Sequence, residues 1–305
     1  MTLLTPVLHD KVILITGATD GIGKLTATGL ARLGATVVVV GRDAVKGQDT
    51  VDAIRATTGN PSVALLLADL SSQMAIRHLA AEVLARYDRL HVLVNNVGGL
   101  YAQRWETVDG IEATFAMNVL APFLLTHLLL PLMQASAPAR IVNVNSSMHR
   151  SGTLDMNDLQ AYHWYRGLDI YGRAKLANLL WTYELGRQLV GTGITVNAVD
   201  PGTAPTPMGL GLTPAMVPWY VRLVWPFVRR FQATQSIERA AHSSIYAASS
   251  PEVEGLSGRF FNPKAQARPS SKLSYNTMLA QHVWHASAEL TGVVDQAVAG
   301  YVDLR

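Results

Sequence analysis

A glycine-rich stretch, Thr16-Gly17-Ala18-Thr19-Asp20-Gly21-Ile22-Gly23, joins the β-branched run Val12 to Ile15 to a segment with helical spacing, Lys24 to Leu33. No other feature narrows the choice of fold as much. Glycines at 17, 21 and 23 let the chain turn tightly. They also bring backbone N–H groups and a helix N-terminus up to a ligand with no side chain in the way. A strand that enters a helix through such a turn opens a βαβ unit and so belongs to a parallel sheet. A turn without a ligand would have the same composition, but its position between the first strand and the first helix favours phosphate binding.

The alternation continues along the chain. Thr36 to Val40, Val63 to Leu67, Leu90 to Val94, Ile141 to Val144, Ile194 to Ala198 and Gly258 to Phe261 are runs of strand length. Residues 73–86, Gly110 to Gln134, Leu176 to Leu185, Ile237 to Ala248 and Leu273 to Leu290 carry helical spacing. The series predicts an α/β fold with a doubly wound parallel sheet of about seven strands, in one domain over residues 1–305. Residues 10–200 would form mainly the dinucleotide-binding and catalytic core, 204–234 a substrate lid, and 235–290 the C-terminal helices and last strand.

With 49% hydrophobic and 15% charged residues, the chain can bury a large core. It has no cysteine, which excludes disulfides, a thiolate nucleophile and cysteine metal sites, and no metal site is expected. The formal charge of +3 is unclustered and gives no support for nucleic-acid binding. Met1 to Asp10 has neither the basic region nor the apolar run of a secretory leader. Leu124 to Met133 is interrupted by Thr126, His127 and Pro131 and falls short of a bilayer span, so a soluble, cytoplasmic protein is expected.

Tyr171 and Lys175 lie four residues apart at the start of a helical run, on one face and about 6 Å apart along the axis. An ammonium at that distance lowers the pKa of a phenol toward the range where it exchanges protons as an acid or base. Many helices carry such a pair without using it. At the end of the second strand Gly41 offers no acid to a ribose hydroxyl and Arg42 follows, which favours a 2′-phosphate and hence NADP(H) over NAD(H). Asp20 could face that phosphate and weaken the preference, whereas Asp43 is explained as a helix N-cap. Asp69 suits either an adenine amino group or a cap before Ser71. Asn95 and Asn96 suit loop locking as readily as cofactor contact. Asn118 interrupts an apolar helix, where an inward amide would point to bound water. Ser146 and Ser147 follow the fifth strand at the carboxyl edge of the sheet, where ligands bind.

Together these residues resemble the short-chain dehydrogenase/reductase family, in its retinol-dehydrogenase-like branch, over roughly residues 10 to 290. The resemblance rests on the glycine stretch, Gly41-Arg42-Asp43, Asp69-Leu70, Asn95-Asn96-Val97-Gly98, Asn118, Arg140 to Val144, Tyr171 to Lys175 with Leu176-Ala177-Asn178, and Pro201-Gly202. It implies a Rossmann-type fold. It also implies a metal-free hydride transfer between nicotinamide and a carbonyl carbon, with Tyr171 as general acid/base and Lys175 supporting it and holding the nicotinamide ribose. Asn118 would support a proton-relay water. The implied cofactor contacts are Gly17, Thr19, Asp20, Gly21, Ile22, Gly23, Arg42, Asp69, Leu70, Asn95, Asn96, Gly98, Tyr171, Lys175, Pro201 and Gly202. Alignment without a gap puts the family's serine on Ser146, and a shift of one would choose Ser147. His149 matches a histidine common in this branch and is expected in a pocket wall or loop. Asn145 and Val97 depart from the family's usual residues.

The expected activity is an NADP(H)-dependent oxidoreductase acting on an apolar alcohol, aldehyde or ketone, as a monomer or homo-oligomer. The alternatives are a catalytically idle dinucleotide-binding protein that senses redox state through partners, and an epimerase or dehydratase on the same fold. Retention of Ser146, Tyr171 and Lys175 weighs against the idle protein, and the C-terminal length weighs against the epimerase. Residues 204–234 hold five prolines amid Trp219, Tyr220, Trp225 and Phe227, which suits an apolar lid, ordinary packing or a subunit interface. Arg222, Arg229 and Arg230 leave room for peripheral contact with an anionic membrane.

Overall fold

The computed structural model describes residues 8–203, 213–217, 230 and 236–293. Apart from residues 213–217 and 230, the expected lid lies outside the described residues, and so do Arg222 and Arg229.

Seven parallel strands form one sheet: β1 (Val12–Thr16), β2 (Thr36–Gly41), β3 (Val63–Leu67), β4 (Val92–Asn95), β5 (Ala139–Val144), β6 (Ile194–Val199) and β7 (Phe260–Phe261). Their order is β3-β2-β1-β4-β5-β6-β7. The chain runs outward from β1 to β3, then crosses back to place β4 on the other side of β1. This reversal opens a crevice at the carboxyl ends of β1 and β4, the place where open α/β sheets take ligands.

The sheet is buried on both faces, as its β-branched strands require. Val37 and Val39 of β2 pack with α1 (Gly21–Arg32), α2 (Ala44–Thr58) and α6 (Ile237–Ser249). Val38 and Val40 face the opposite way, toward α3 (Gln73–Arg86), α4 (Ala113–Ala135), α5 (Gly167–Gln188) and α7 (Thr277–Thr291). Alternate side chains of a strand point to opposite faces, so one valine run serves both layers.

Local chemistry sets the helix ends. Asp43 accepts from the Lys46 N–H at 3.0 Å and begins α2, while Gly59, at φ +70°, ends it. The helix expected from Gly110 begins instead at Ala113. There the buried Glu112 carboxylate takes the N–H groups of Thr114 and Phe115, each at 2.7 Å. Asn276 likewise caps α7, leaving Lys272–Tyr275 as a separate turn outside the helix expected from Leu273.

By length and composition α4 is apolar enough to cross a membrane, with a mean hydropathy of 1.7 over its most apolar window. That exceeds the expectation drawn from Leu124 to Met133 alone. Of this window 67% is buried within the domain, against β4, β5, α3 and α7, so the core accounts for its apolarity.

Candidate active site

The glycine turn between β1 and α1 is built as a cradle. Gly17 and Gly21 take left-handed φ values of +62° and +52°, which other residues rarely adopt. Gly23 has no room for a side chain, since a Cβ there would overlap the Gly17 carbonyl and the Asn96 amide. Asn96 ties the cradle to β4. Its Nδ2 donates to Thr16 O at 2.9 Å and Gly17 O at 3.0 Å, and the N–H groups of Asn96 and Val97 both donate to Thr16 Oγ1 at 3.0 Å.

From this cradle a pocket of about 240 Å³ runs along the strand ends to Val144, Asn145, Tyr171, Lys175 and Pro201. Ser146 begins the turn after β5, and its hydroxyl stands beside that of Tyr171. Ser147 is exposed and carries no such contact. The Lys175 Nζ donates to the Val144 carbonyl at 2.9 Å and sits 5.4 Å from the centre of the Tyr171 ring.

Asn118 is buried in a π-helical turn, Ala116–Leu120, within α4. Its Nδ2 donates to Gly99 O at 2.7 Å and Thr114 O at 2.8 Å, while its Oδ1 is buried without a protein partner. Pro122 stands four residues on and has no N–H, so the Asn118 carbonyl lacks its ordinary helical donor. It accepts from Asn178 Nδ2 instead, at 2.9 Å. Gly98 fits closely against this group: a Cβ there would lie 2.7 Å from Asn118 Oδ1 and 3.6 Å from Lys175 Nζ.

Burial dominates the electrostatics. It pushes the Lys175 ammonium down to about 8, opposed by the Asp200 carboxylate. It pushes the Tyr171 phenol up, against the neighbouring Ser146 hydroxyl and with help from Asp200. In the protein alone burial sets the direction for Tyr171, and the Lys175 ammonium is turned toward the Val144 carbonyl.

Residues 11–216 match the model of the short chain dehydrogenase family. The chain belongs to the short-chain dehydrogenase family. It is 40% identical over 283 residues to retinol dehydrogenase 12 of Mus musculus, covering 93% of this chain and 87% of that protein. Polyprenol dehydrogenase of Homo sapiens is 37% identical over 292 residues, covering 94% and 86%. Among solved structures, the Pseudomonas aeruginosa RhlG/NADP active-site complex superposes with a TM-score of 0.68 at 28% identity, over 86% of this chain and 98% of that one.

In this short-chain dehydrogenase the pocket gathers Gly17, Asp20, Gly21, Ile22, Gly23, Asn96, Gly98, Tyr171, Lys175 and Pro201 from the residues the sequence suggested. The other six expected cofactor contacts, Thr19, Arg42, Asp69, Leu70, Asn95 and Gly202, do not line it. Asn95 is turned into the core, where its Nδ2 donates to Thr126 Oγ1 at 3.0 Å and Asn143 Oδ1 at 2.8 Å, so its side chain locks elements together. The Leu70 side chain is likewise part of the core. Thr19 packs its side chain on Gly41, and its carbonyl accepts from Thr50 Oγ1 at 3.1 Å. Arg42 is exposed just beyond β2, and Asp69 is exposed and caps Ser71 at 3.0 Å. Gly202 donates its N–H to Asp200 Oδ1 at 2.8 Å.

Sequence reasoning gave no role in the site to three residues. Asn145 donates to Lys175 O and Asn178 Oδ1, both at 2.9 Å, and accepts from the Ser146 N–H at 2.8 Å. With Asn178 it links the serine turn to Asn118 through buried amides. The signal was present in the sequence: Tyr171, Lys175, Asn178 and Thr182 form a polar stripe at helical spacing through an otherwise apolar helix. The third is Asp200, buried at the end of β6. His149, expected in a wall or loop, is fully buried. Its Nε2 accepts from the Ser271 N–H at 3.1 Å, which leaves Nδ1 to donate to Ser146 O at 2.6 Å.

A larger cleft of about 590 Å³ opens at the opposite, amino ends of the strands, beside Lys11, His91 and Arg140. It contains none of the residues named above for the cofactor or the proton, so the smaller pocket is the candidate site.

Proposed function

We propose that this enzyme is an NADP(H)-dependent oxidoreductase of apolar alcohols, aldehydes or ketones, with Tyr171 as general acid/base. The observation that carries this reading is the Tyr171 hydroxyl beside Ser146 and flanked by Lys175, at one end of a pocket whose other end is the glycine cradle. The cradle suits a dinucleotide, because Gly17, Gly21 and Gly23 leave no side chain between a pyrophosphate and the start of α1. Bound there, a nicotinamide dinucleotide supplies a hydride donor or acceptor.

The protein's own residues handle the oxygen and its proton. Ser146 and Tyr171 hold the substrate oxygen by hydrogen bonds aimed where negative charge develops, and Tyr171 gives up or takes the proton. Lys175 supplies positive charge beside the phenol and would hold the nicotinamide ribose. The unpartnered Asn118 Oδ1 would hold a water for proton exchange with Lys175. Arg42, exposed just beyond β2, favours a 2′-phosphate. The relatives named for retinol and polyprenol support an apolar, isoprenoid-like alcohol or its aldehyde as the substrate class.

The reading is tested by assaying retinoid, long-chain and small carbonyl compounds with NADPH and NADH, in wild type and Tyr171→Phe. Turnover of the apolar compounds with NADPH and a loss of at least ~10²-fold in the variant, with cofactor binding retained, are expected. A variant that keeps more than about a tenth of the rate would overturn the role of Tyr171.

A further inference from the structure

Asp200 is a buried carboxylate at the centre of the site that the mechanism above leaves unused. It follows Val199, which pairs in register with Val144, the residue whose carbonyl takes the Lys175 ammonium. Asp200 and the Lys175 ammonium therefore both lie at the adjoining ends of β5 and β6. Its backbone is fixed from both sides. The Asp200 N–H donates to Phe261 O at 2.8 Å, and its carbonyl accepts from Ser243 Oγ at 3.1 Å.

Asp200 is 6% exposed and its carboxylate accepts the Gly202 N–H at 2.8 Å, with the Ser147 N–H close enough to act on its charge. Ser147 adjoins Ser146, so the carboxylate stands beside the turn that carries the Ser146 hydroxyl. The charged and titratable groups facing Asp200 are Lys175 and Tyr171 from α5 and Arg150 from the turn after β5. A buried anion with two cations near it is expensive to keep unless it serves them.

We propose that Asp200 is a positioning residue: one buried carboxylate holds the turn that carries Ser146 and serves as the counter-ion of Lys175. The proposal rests on reading Tyr171 and Lys175 as the groups that handle the proton. Burial works against the Lys175 charge, and the Asp200 anion works for it. The same anion disfavours the Tyr171 phenolate. Both effects keep protons in the site as pH rises.

The test is Asp200→Asn, whose amide oxygen can still accept from Gly202. In carbonyl reduction, the basic limb of the kcat/KM profile is expected to move to lower pH by about one unit, with Asp200→Glu restoring most of the shift. A purely structural residue would lower the rate at all pH values and leave the limb in place. That outcome in a folded Asp200→Asn protein overturns the proposal.

If Asp200→Asn does not fold, the reciprocal measurement decides. Followed by carboxyl-carbon NMR, Asp200 should titrate about one unit higher in Lys175→Met than in wild type, and an unchanged midpoint overturns the pairing. This titration does not depend on turnover. Should Tyr171→Phe remain active, the reading of Tyr171 fails by its own test while the Asp200–Lys175 pairing is still decided here.

Discussion

Lys46 reaches from the first turn of α2 to the carboxylate of Asp20, the residue that caps α1. The acid that could repel a 2′-phosphate is thereby paired with a cation at the glycine cradle. Asp20 is held below its usual carboxylate range first by this Lys46 contact, although burial and the Gly21 N–H also act on it. Asparagine caps a helix as well as aspartate does, so Asp20→Asn frees Lys46 without unseating α1. Binding of 2′,5′-ADP and NADPH is expected to tighten about three- to tenfold in this variant, and Lys46→Ala to weaken both by a similar factor. Titration calorimetry against ADP and NADH supplies the control. Equal changes for phosphorylated and unphosphorylated ligands would remove Lys46 from the phosphate end.

The two serines after β5 are expected to separate sharply. Ser146→Ala removes the hydroxyl beside Tyr171 and should lower kcat by ~10², in line with the loss of one donor to a developing oxyanion. Ser147 is exposed and uses its backbone toward Asp200, so Ser147→Ala should stay within about twofold of wild type. Steady-state kinetics on both variants distinguish them, and the reverse ranking would reassign the serine.

Asn178→Ala should destabilise the protein by about 2 kcal/mol, because it leaves the Asn118 carbonyl without its donor and removes a partner of Asn145 in a buried setting. For a chain of this size the expected drop in melting temperature is roughly 3 °C. Differential scanning calorimetry checks it. A melting temperature unchanged to within about a degree would mean that water replaces the amide at little cost.

Two histidines accept backbone N–H groups, His91 Nδ1 from Val12 at 3.0 Å and His149 Nε2 from Ser271 at 3.1 Å. A protonated ring cannot accept, and burial already holds both below their usual 6.5. With the folded pKa depressed, the unfolded chain binds more protons as pH falls below 6.5, so stability is present above that value and lost beneath it. Urea unfolding between about pH 5 and 8 should show this loss, and His149→Gln should flatten part of the slope. A profile with the same slope in wild type and variant would count against it.

Most of the fold was legible because nearly every strand is a short β-branched run bounded by turn residues, and the helix over 73–86 falls where its spacing placed it. The ends were less so. Strand β4 was expected from Leu90 but starts at Val92, after His91 has turned its ring to the Val12 N–H. The edge strand β7 pairs with β6 and keeps two residues. In the site, glycines and the Tyr171–Lys175 spacing act through the local backbone and can be read along the chain. The bonds among Asn118, Asn145, Asn178 and Asp200 join separate elements. Their meaning depends on which strand ends the sheet brings together, and no stretch of sequence records that order.

The tie between His149 and Ser271 also sets an order of synthesis. The contacts described for the glycine cradle are complete once the chain has grown to Val97. The turn bearing Ser146 acquires its last partners 122 residues after His149, when Ser271 arrives and Pro269 has accepted the Arg150 guanidinium. A growing chain therefore holds the parts of a nucleotide-binding half well before it holds a finished proton-transfer half, and a chain cut short of Ser271 would bury the His149 nitrogen with no donor for it.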